Sequence, residues 1–302
     1  MKLFLRQAHP IFCCENNYFH PPFTAGPEGC ALSSAVSRQP AIFLPHGGGP
    51  CFFMDWTMGP PGTWHPTQRF LEGLAATLPA PPRAIVVVSG HWEETAFTAA
   101  SAARPDLFFD YYGFPPHTYR LTWPAPGHPQ LADRIAALLA QAGLPSALDP
   151  ARGFDHGVFV PLKVAFPQAQ IPVVPLSLSA TRDPALHLAA GRALAPLRDQ
   201  GILLIASGMS FHNLRAYLRP KTVDRARDFD AWLTDAVASP APQRDALLAG
   251  WRQAPHAAFA HPREEHLIPL LVAAGAGGQA PGRRIFTDEP MGAAISAFRF
   301  DG

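Results

Sequence analysis

Cysteine is scarce. The 302-residue chain has four, Cys13, Cys14, Cys30 and Cys51, all in its first fifth. No CxxC pair occurs, so neither a disulfide framework nor a cysteine zinc site is expected, and the pattern fits a reducing compartment. Long apolar runs are missing too; none approaches the roughly 20 residues of a membrane-spanning helix. The opening MKLFLRQAHP has too short an apolar core for a secretory signal, and Arg6, His9 and Pro10 interrupt it. A soluble, cytoplasmic protein is expected. Neither sign of charge dominates: 24 Lys and Arg face 23 Asp and Glu. Without a basic block, neither nucleic acid nor an anionic membrane is an expected partner. Two catalytic signatures are absent, the HExxH zinc motif and the GxSxG nucleophile elbow. The glycine triplet Gly47–Gly49 lacks the following Lys-Ser/Thr of a phosphate-binding loop.

Core-forming residues are plentiful. With 48% hydrophobic residues, the chain has enough for one large or two modest domains. Its organising stretch is Ala84–Glu94, AIVVVSGHWEE. The run Ala84–Val88 is short and rich in β-branched residues, which predicts a buried strand. Ser89 and Gly90 are expected to end it, with His91 and Trp92 just beyond. The same order recurs twice. Ala41–Pro45 runs into His46 and the glycine triplet, and Gly201–Ser207 runs through Gly208-Met209-Ser210-Phe211 into His212. Three apolar strands thus each carry one histidine past their ends. In open α/β sheets ligands bind outside the carboxyl ends of the strands. His46, His91 and His212 are therefore candidate ligands or proton carriers.

Residues 1–40 lack periodicity and are expected to form an N-terminal extension with little fixed structure. Nothing around Cys13, Cys14 or Cys30 supplies metal-ligand spacing. The domain is expected over 41–302. Helical spacing predicts helices at Thr67–Leu78, Pro129–Ala142 (closed by Gly143), Val158–Phe166, Pro184–Arg198, Asp224–Ala238 and Arg244–Gln253. Further strands are expected at Thr95–Ser101, as the second strand of a meander, and at Ile171–Leu178 and Ala293–Phe300. The aromatic stretch Asp110–Tyr119 reads either as a packed surface loop or as a substrate wall. In the second reading Phe114 and Tyr119 are the substrate contacts. In GFDHG, Asp155 reads as an N-cap and His156 as the helix start, where the dipole favours a neutral imidazole.

HPREEHLIPLL places Glu264 and Glu265 in a helical first turn, a position that suits acids without any function. Successive helix residues are about 100° apart, so Glu265 and His266 face different ways. His266 shares its face with the core-like Leu270 and Ala273, and is the expected inward residue. Imidazole clusters suit zinc, iron, copper or nickel, and open sites of histidine and carboxylate suit non-haem Fe(II) oxygen chemistry.

PHGGGP, VVVSGHWE, GFP followed by Tyr119 and PAPG, GFDHG, SG…HNL and EEHLIPLL occur in this order. Together they resemble the class III extradiol ring-cleavage dioxygenases, in their DOPA 4,5-dioxygenase branch. The resemblance covers roughly residues 41–300. It implies a single α/β domain, a central mostly buried sheet flanked by helices, with a metal at the strand C-terminal ends. It implies Fe(II) for turnover, with zinc able to occupy the same site. His46, His91 and His266 are the implied ligands, His212 a fourth ligand or an acid–base, and His156 a proton carrier beside them. The protocatechuate branch uses a glutamate as third ligand, so Glu265 competes with His266. The first loop reads HGGGP where the branch often has HGSP or HGAP. The implied reaction joins a small catechol, DOPA or a relative, with O₂ to give a ring-opened semialdehyde. Two alternatives use the same residues: a zinc-dependent hydrolase, and a non-catalytic binding protein on this scaffold.

Overall fold

The computed structural model describes residues 36–302. The expected N-terminal extension, with Cys13, Cys14 and Cys30, lies up to residue 35 outside the described residues. Eight strands form one sheet: β1 Ala41–Pro45, β2 Ala84–Glu94, β3 Phe97–Ala100, β4 Ser146–Asp149, β5 Val173–Ser179, β6 Ile202–Gly208, β7 Arg283–Asp288 and β8 Ile295–Phe300. Their order is β4-β3-β5-β2-β6-β1-β8-β7. The central run β5-β2-β6-β1 is parallel. Antiparallel pairing joins β3 to β5 and β8 to both β1 and β7.

Alternation along the central strands builds two cores. Ala41 and Phe43, Val86 and Val88, Leu204 and Ala206 face one layer. Ile42 and Leu44, Ile85 and Val87, Leu203 and Ile205 face the other. A strand buried on both faces reads as an unbroken apolar run, which is why these strands stand out in the sequence. The first layer is covered by α2 (Pro129–Gln141), α4 (Pro184–Leu194), α5 (Thr222–Ala238), α6 (Ala241–Ala249) and α8 (Ile268–Ala276). The second is covered by α1 (His65–Gly73) and α3 (His156–Ala165). The short α7 spans Ala257–Ala260. The architecture is thus the expected α/β sheet flanked by helices. Among the described residues no helix is long and apolar enough to cross a membrane.

Three expectations change. The meander is not formed: β3 lies beside β5 and β4, and β2 pairs with β5 and β6. The strands β4 and β7 are additional; both are sheet edges with largely exposed residues, so no apolar alternation marks them. The helices expected at Thr67–Leu78, Pro184–Arg198 and Arg244–Gln253 each close in a separate 3₁₀ turn, at Leu74–Thr77, Ala195–Gln200 and Trp251–Gln253.

His187, inside α4, is fully buried. Its Nδ1 donates to the Asp183 carbonyl at 2.6 Å, and its Nε2 accepts from Ser179 N at 3.1 Å. Burial lowers its pKa to about 4. The unfolded chain binds a proton from about pH 6.5 downward, so between those values only the unfolded state is charged. Stability from this neutral imidazole is complete above the unfolded pKa and is lost as pH falls toward the folded one, at about 1.4 kcal/mol per pH unit. Urea unfolding of the protein and of His187→Gln should therefore show a stability gap that narrows from pH 7.5 to pH 4.5. A gap independent of pH would contradict the neutral, buried histidine.

Candidate metal centre

The ends of β2, β6 and β1 lie side by side, and each supplies part of one site. His46 follows β1 directly, and its N–H donates to the Gly208 carbonyl at 3.1 Å. His91 does not follow the end of β2, as its sequence suggested; it sits within it. Pairing of β2 with β6 ends at Ser89↔Ser207. Pairing with β5 jumps from Val88↔Leu176 to Glu93↔Leu178, five residues on β2 against two on β5. A bulge of this kind bends a strand and re-aims its side chains. It turns His91 toward His46.

His266 also arrives differently from its expected place on a helix face. The helix α8 starts at Ile268, and Glu264–Leu267 form the turn before it, with Leu267 N and Ile268 N donating to the Glu264 carbonyl at 2.8 and 3.0 Å. Regular helical spacing therefore does not decide between Glu265 and His266. The backbone of this turn packs on the strand ends. Met209 N donates to the His266 carbonyl at 3.0 Å. A Cβ on Gly208 would stand 2.1 Å from that same carbonyl oxygen, so only glycine lets the turn approach this closely.

The turn brings three imidazoles to one point. The His91 Nε2 lies 3.3 Å from His46 Nε2 and 3.1 Å from His266 Nε2. The His266 Nδ1 donates to Glu265 Oε1 at 2.9 Å. That bond leaves a lone pair on His266 Nε2. Burial lowers the pKa of all three histidines well below the ordinary value, and their neighbouring imidazoles add to it. Three neutral imidazoles cannot satisfy three converging nitrogens with one another's protons. A cation can. Nitrogen ligands about 2.0–2.1 Å from a tetrahedral or octahedral ion are about 3.0–3.4 Å apart, which matches this spacing. The donor set therefore fits a divalent metal of the kind imidazole binds.

Two further histidines flank the three, each held by a carboxylate. His156 opens α3, and both its backbone N and its Nδ1 are 2.8 Å from Asp110 Oδ1. Its ring centroid is 3.9 Å from that of His91. Burial pushes Asp110 up, but the His156 bond and the neighbouring His156 and His91 bring its carboxyl below the usual range. His212 stacks on His266 with centroids 3.5 Å apart, and its Nδ1 is 3.4 Å from Glu265 Oε1. It groups with Glu265 and His266, not with the cluster of His46, His91 and His266. Burial likewise pushes Glu265 up, while its bond with His212 and the nearby Arg263 guanidinium hold it below its ordinary value.

The paired serines anchor this arrangement. The Ser89 Oγ donates to Asp155 Oδ1 at 2.8 Å, and Ser207 Oγ donates to the Gly157 carbonyl. Asp155 caps α3 as expected, accepting from Val158 N at 3.2 Å. Ser89 and Ser207 had no functional signal in the sequence; the signal available for Asp110 was its place at the head of the aromatic loop.

The imidazoles form the floor of a cavity of about 630 Å³. Phe114 lines it, with Tyr111, Trp56 and Trp64. Tyr119 is not among the lining residues. It packs behind them, its ring 5.2 Å from that of Tyr111 and its hydroxyl accepting from Phe114 N at 3.4 Å. The loop is thus both things the sequence allowed, a wall on one side and a packed aromatic cluster on the other.

The sequence model of the family described as the catalytic LigB subunit of aromatic ring-opening dioxygenase matches residues 40–299. Dioxygenase tasH of Hapsidospora irregularis is 39% identical over 295 residues, covering 89% of this chain and 88% of that protein. The 4,5-DOPA dioxygenase extradiol of Portulaca grandiflora is 36% identical over 257 residues, covering 82% and 90%. The protein of the same name from Escherichia coli strain K12 is 36% identical over 250 residues, covering 81% and 88%. The crystal structure of an uncharacterized protein from Escherichia coli K12 superposes with a TM-score of 0.69 at 32% identity, covering 87% of this chain and 100% of that one. The chain belongs to the LigB family of aromatic ring-opening dioxygenases.

Proposed function

We propose that this dioxygenase performs extradiol cleavage of a catechol with O₂, giving a ring-opened semialdehyde, with His46, His91 and His266 holding the metal. The observation that carries the reading is the meeting of three Nε2 atoms at the floor of an aromatic cavity, flanked by two more imidazoles. Fe(II) bound there would supply Lewis acidity toward the catechol oxygens and the redox capacity that O₂ chemistry needs, whereas zinc would supply only the first.

The chain's own residues do the rest. The Asp110 carboxylate accepts the Nδ1 proton of His156, so the His156 Nε2 lone pair is free to take a proton from a catechol hydroxyl. His212 is oriented by Glu265 in the same sense and serves as a second proton holder. Glu265 also fixes His266 through Nδ1, the usual role of a carboxylate behind a ligand histidine. Three neutral ligands leave the charge of a divalent ion uncompensated, which favours a doubly deprotonated catecholate. The aromatic walls stack against the ring and exclude water. A zinc hydrolase or a non-catalytic binder on these histidines would consume no O₂, and membership in a dioxygenase family favours neither.

Anaerobic loading with Fe(II), then addition of catechol and O₂, should give oxygen uptake and a coloured semialdehyde; the zinc-loaded protein should give neither. Elemental analysis should find metal lost from His46→Ala and from His91→Ala, and full occupancy in both would refute the assignment. His156→Gln should keep its metal while turnover falls about 10²–10⁴-fold, the range for a lost acid–base. Loss of metal in that variant would make His156 a ligand, and unchanged turnover would make it structural. His266→Gln should lose the metal, whereas Glu265→Gln should keep it with affinity weakened about 10–100-fold. The reverse order would place the site in the two-histidine, one-carboxylate class.

A further inference from the structure

The cavity is neutral beyond its histidines. Among the described lining residues there is no Lys, Arg, Asp or Glu. Trp56, Trp64, Phe114, Met209 and Met291 offer ring faces and thioethers instead. Asp110 and Glu265 stand behind His156 and His266 and are not part of the lining.

The mouth is apolar as well. Seven large hydrophobic side chains are exposed among the described residues, and four of them line this one cavity. These are Met58 at 49%, Tyr112 at 91%, Leu214 at 70% and Leu218 at 60% exposure. Scattered exposed hydrophobics are ordinary, but four that line one cavity make an apolar surface suited to an apolar ligand. Arg219, next to Leu218, lines the adjoining groove with Glu289, and its Nε donates to the Arg215 carbonyl. The volume of about 630 Å³ is that of a site for a larger molecule than a benzene ring with two oxygens.

We infer that the preferred catechol carries an uncharged, apolar ring substituent that reaches the rim of Met58, Leu214 and Leu218, and that the amino-acid catechol DOPA is a poor substrate. This rests on the ring-cleavage reading. The ammonium and carboxylate of DOPA would meet no oppositely charged side chain among the lining residues of the cavity, so neither would recover by pairing the hydration it loses there. Each methylene placed there instead gains about fourfold in binding.

The test compares catechol, 4-ethylcatechol, 4-butylcatechol, 4-isobutylcatechol, DOPA and 3-(3,4-dihydroxyphenyl)propanoate on the full chain. Binding is read from tryptophan fluorescence on zinc-loaded protein, and kcat/KM from oxygen uptake on Fe(II)-loaded protein. 4-Isobutylcatechol, the uncharged counterpart of DOPA, should bind and turn over at least about tenfold better than DOPA. Affinity should rise about fourfold per methylene along the alkyl series. Leu214→Arg, at an exposed position, should improve the propanoate about two- to fivefold relative to 4-isobutylcatechol. Equal or better binding of DOPA, or a ratio unmoved by Leu214→Arg, would overturn the inference. If the apolar catechols bind in the expected order but none consumes oxygen, the ring-cleavage reading fails and the substrate inference falls with it, leaving an apolar binding site. If catechols turn over with DOPA preferred, the ring-cleavage reading stands and the inference alone fails.

Discussion

Ser89 and Ser207 face one another on the last rung shared by β2 and β6, and the site depends on that pairing. Each serine is followed by a glycine, and the two dipeptides divide the same labour. The hydroxyls hold the GFDHG turn, which presents His156. The glycines leave room for the Glu264–Leu267 turn, which presents His266. The His46 backbone is tied to Gly208 on the neighbouring strand, and His91 follows Gly90 into the bulge. A slip of one residue in this register would send every one of these contacts to the wrong face.

The electrostatics follow from that crowding. Burial and mutual proximity keep the three clustered imidazoles neutral, and the Glu265 bond at Nδ1 leaves the His266 lone pair at their meeting point. The two carboxylates that touch the outer histidines remain ionised in spite of burial, because each has an imidazole to accept from. Outside this centre an ionic network braces the same elements. Arg182 reaches Glu93 on β2 at 2.9 Å and Glu264 at the start of the turn at 3.2 Å. Arg252 and Arg263 add contacts of 2.8 Å to Glu264 and Glu93. Partly exposed pairs contribute little stability singly, but here they join the end of β2 to the turn that carries His266.

The aromatic loop shows how a surface segment becomes a wall. Tyr111 donates to the Thr118 carbonyl at 2.6 Å, which closes the loop on itself. Behind it, Phe109 and Phe159 pack into the second core with ring centroids 5.7 Å apart. With its back fixed this way, the loop packs Phe114 on Tyr111, ring centroids 5.5 Å apart, in the wall of the cavity that the histidines also line. The first glycine loop is placed against the same ring: a Cβ on Gly49 would meet Phe114 at 2.8 Å.

The amino-acid sequence by itself determined the central strands, since residues buried on both faces must be apolar without interruption, and β1, β2, β5 and β6 read that way. It determined the Asp155 cap, because capping is local chemistry, and it determined which histidines stand near strand ends. Only the tertiary structure decided how those histidines meet. The bulge that turns His91 is a mismatch between β2 and β5, residues distant in the chain. The turn that replaces the first turn of α8 is set by its contact with Gly208, not by its own helical pattern. Edge strands β4 and β7 depend on pairing that exposed, half-polar segments do not announce, and the place of the buried β3 beside β5 depends on a partner distant in the chain. Asp110 finds His156 across 46 residues of chain, and no periodicity encodes a contact of that range.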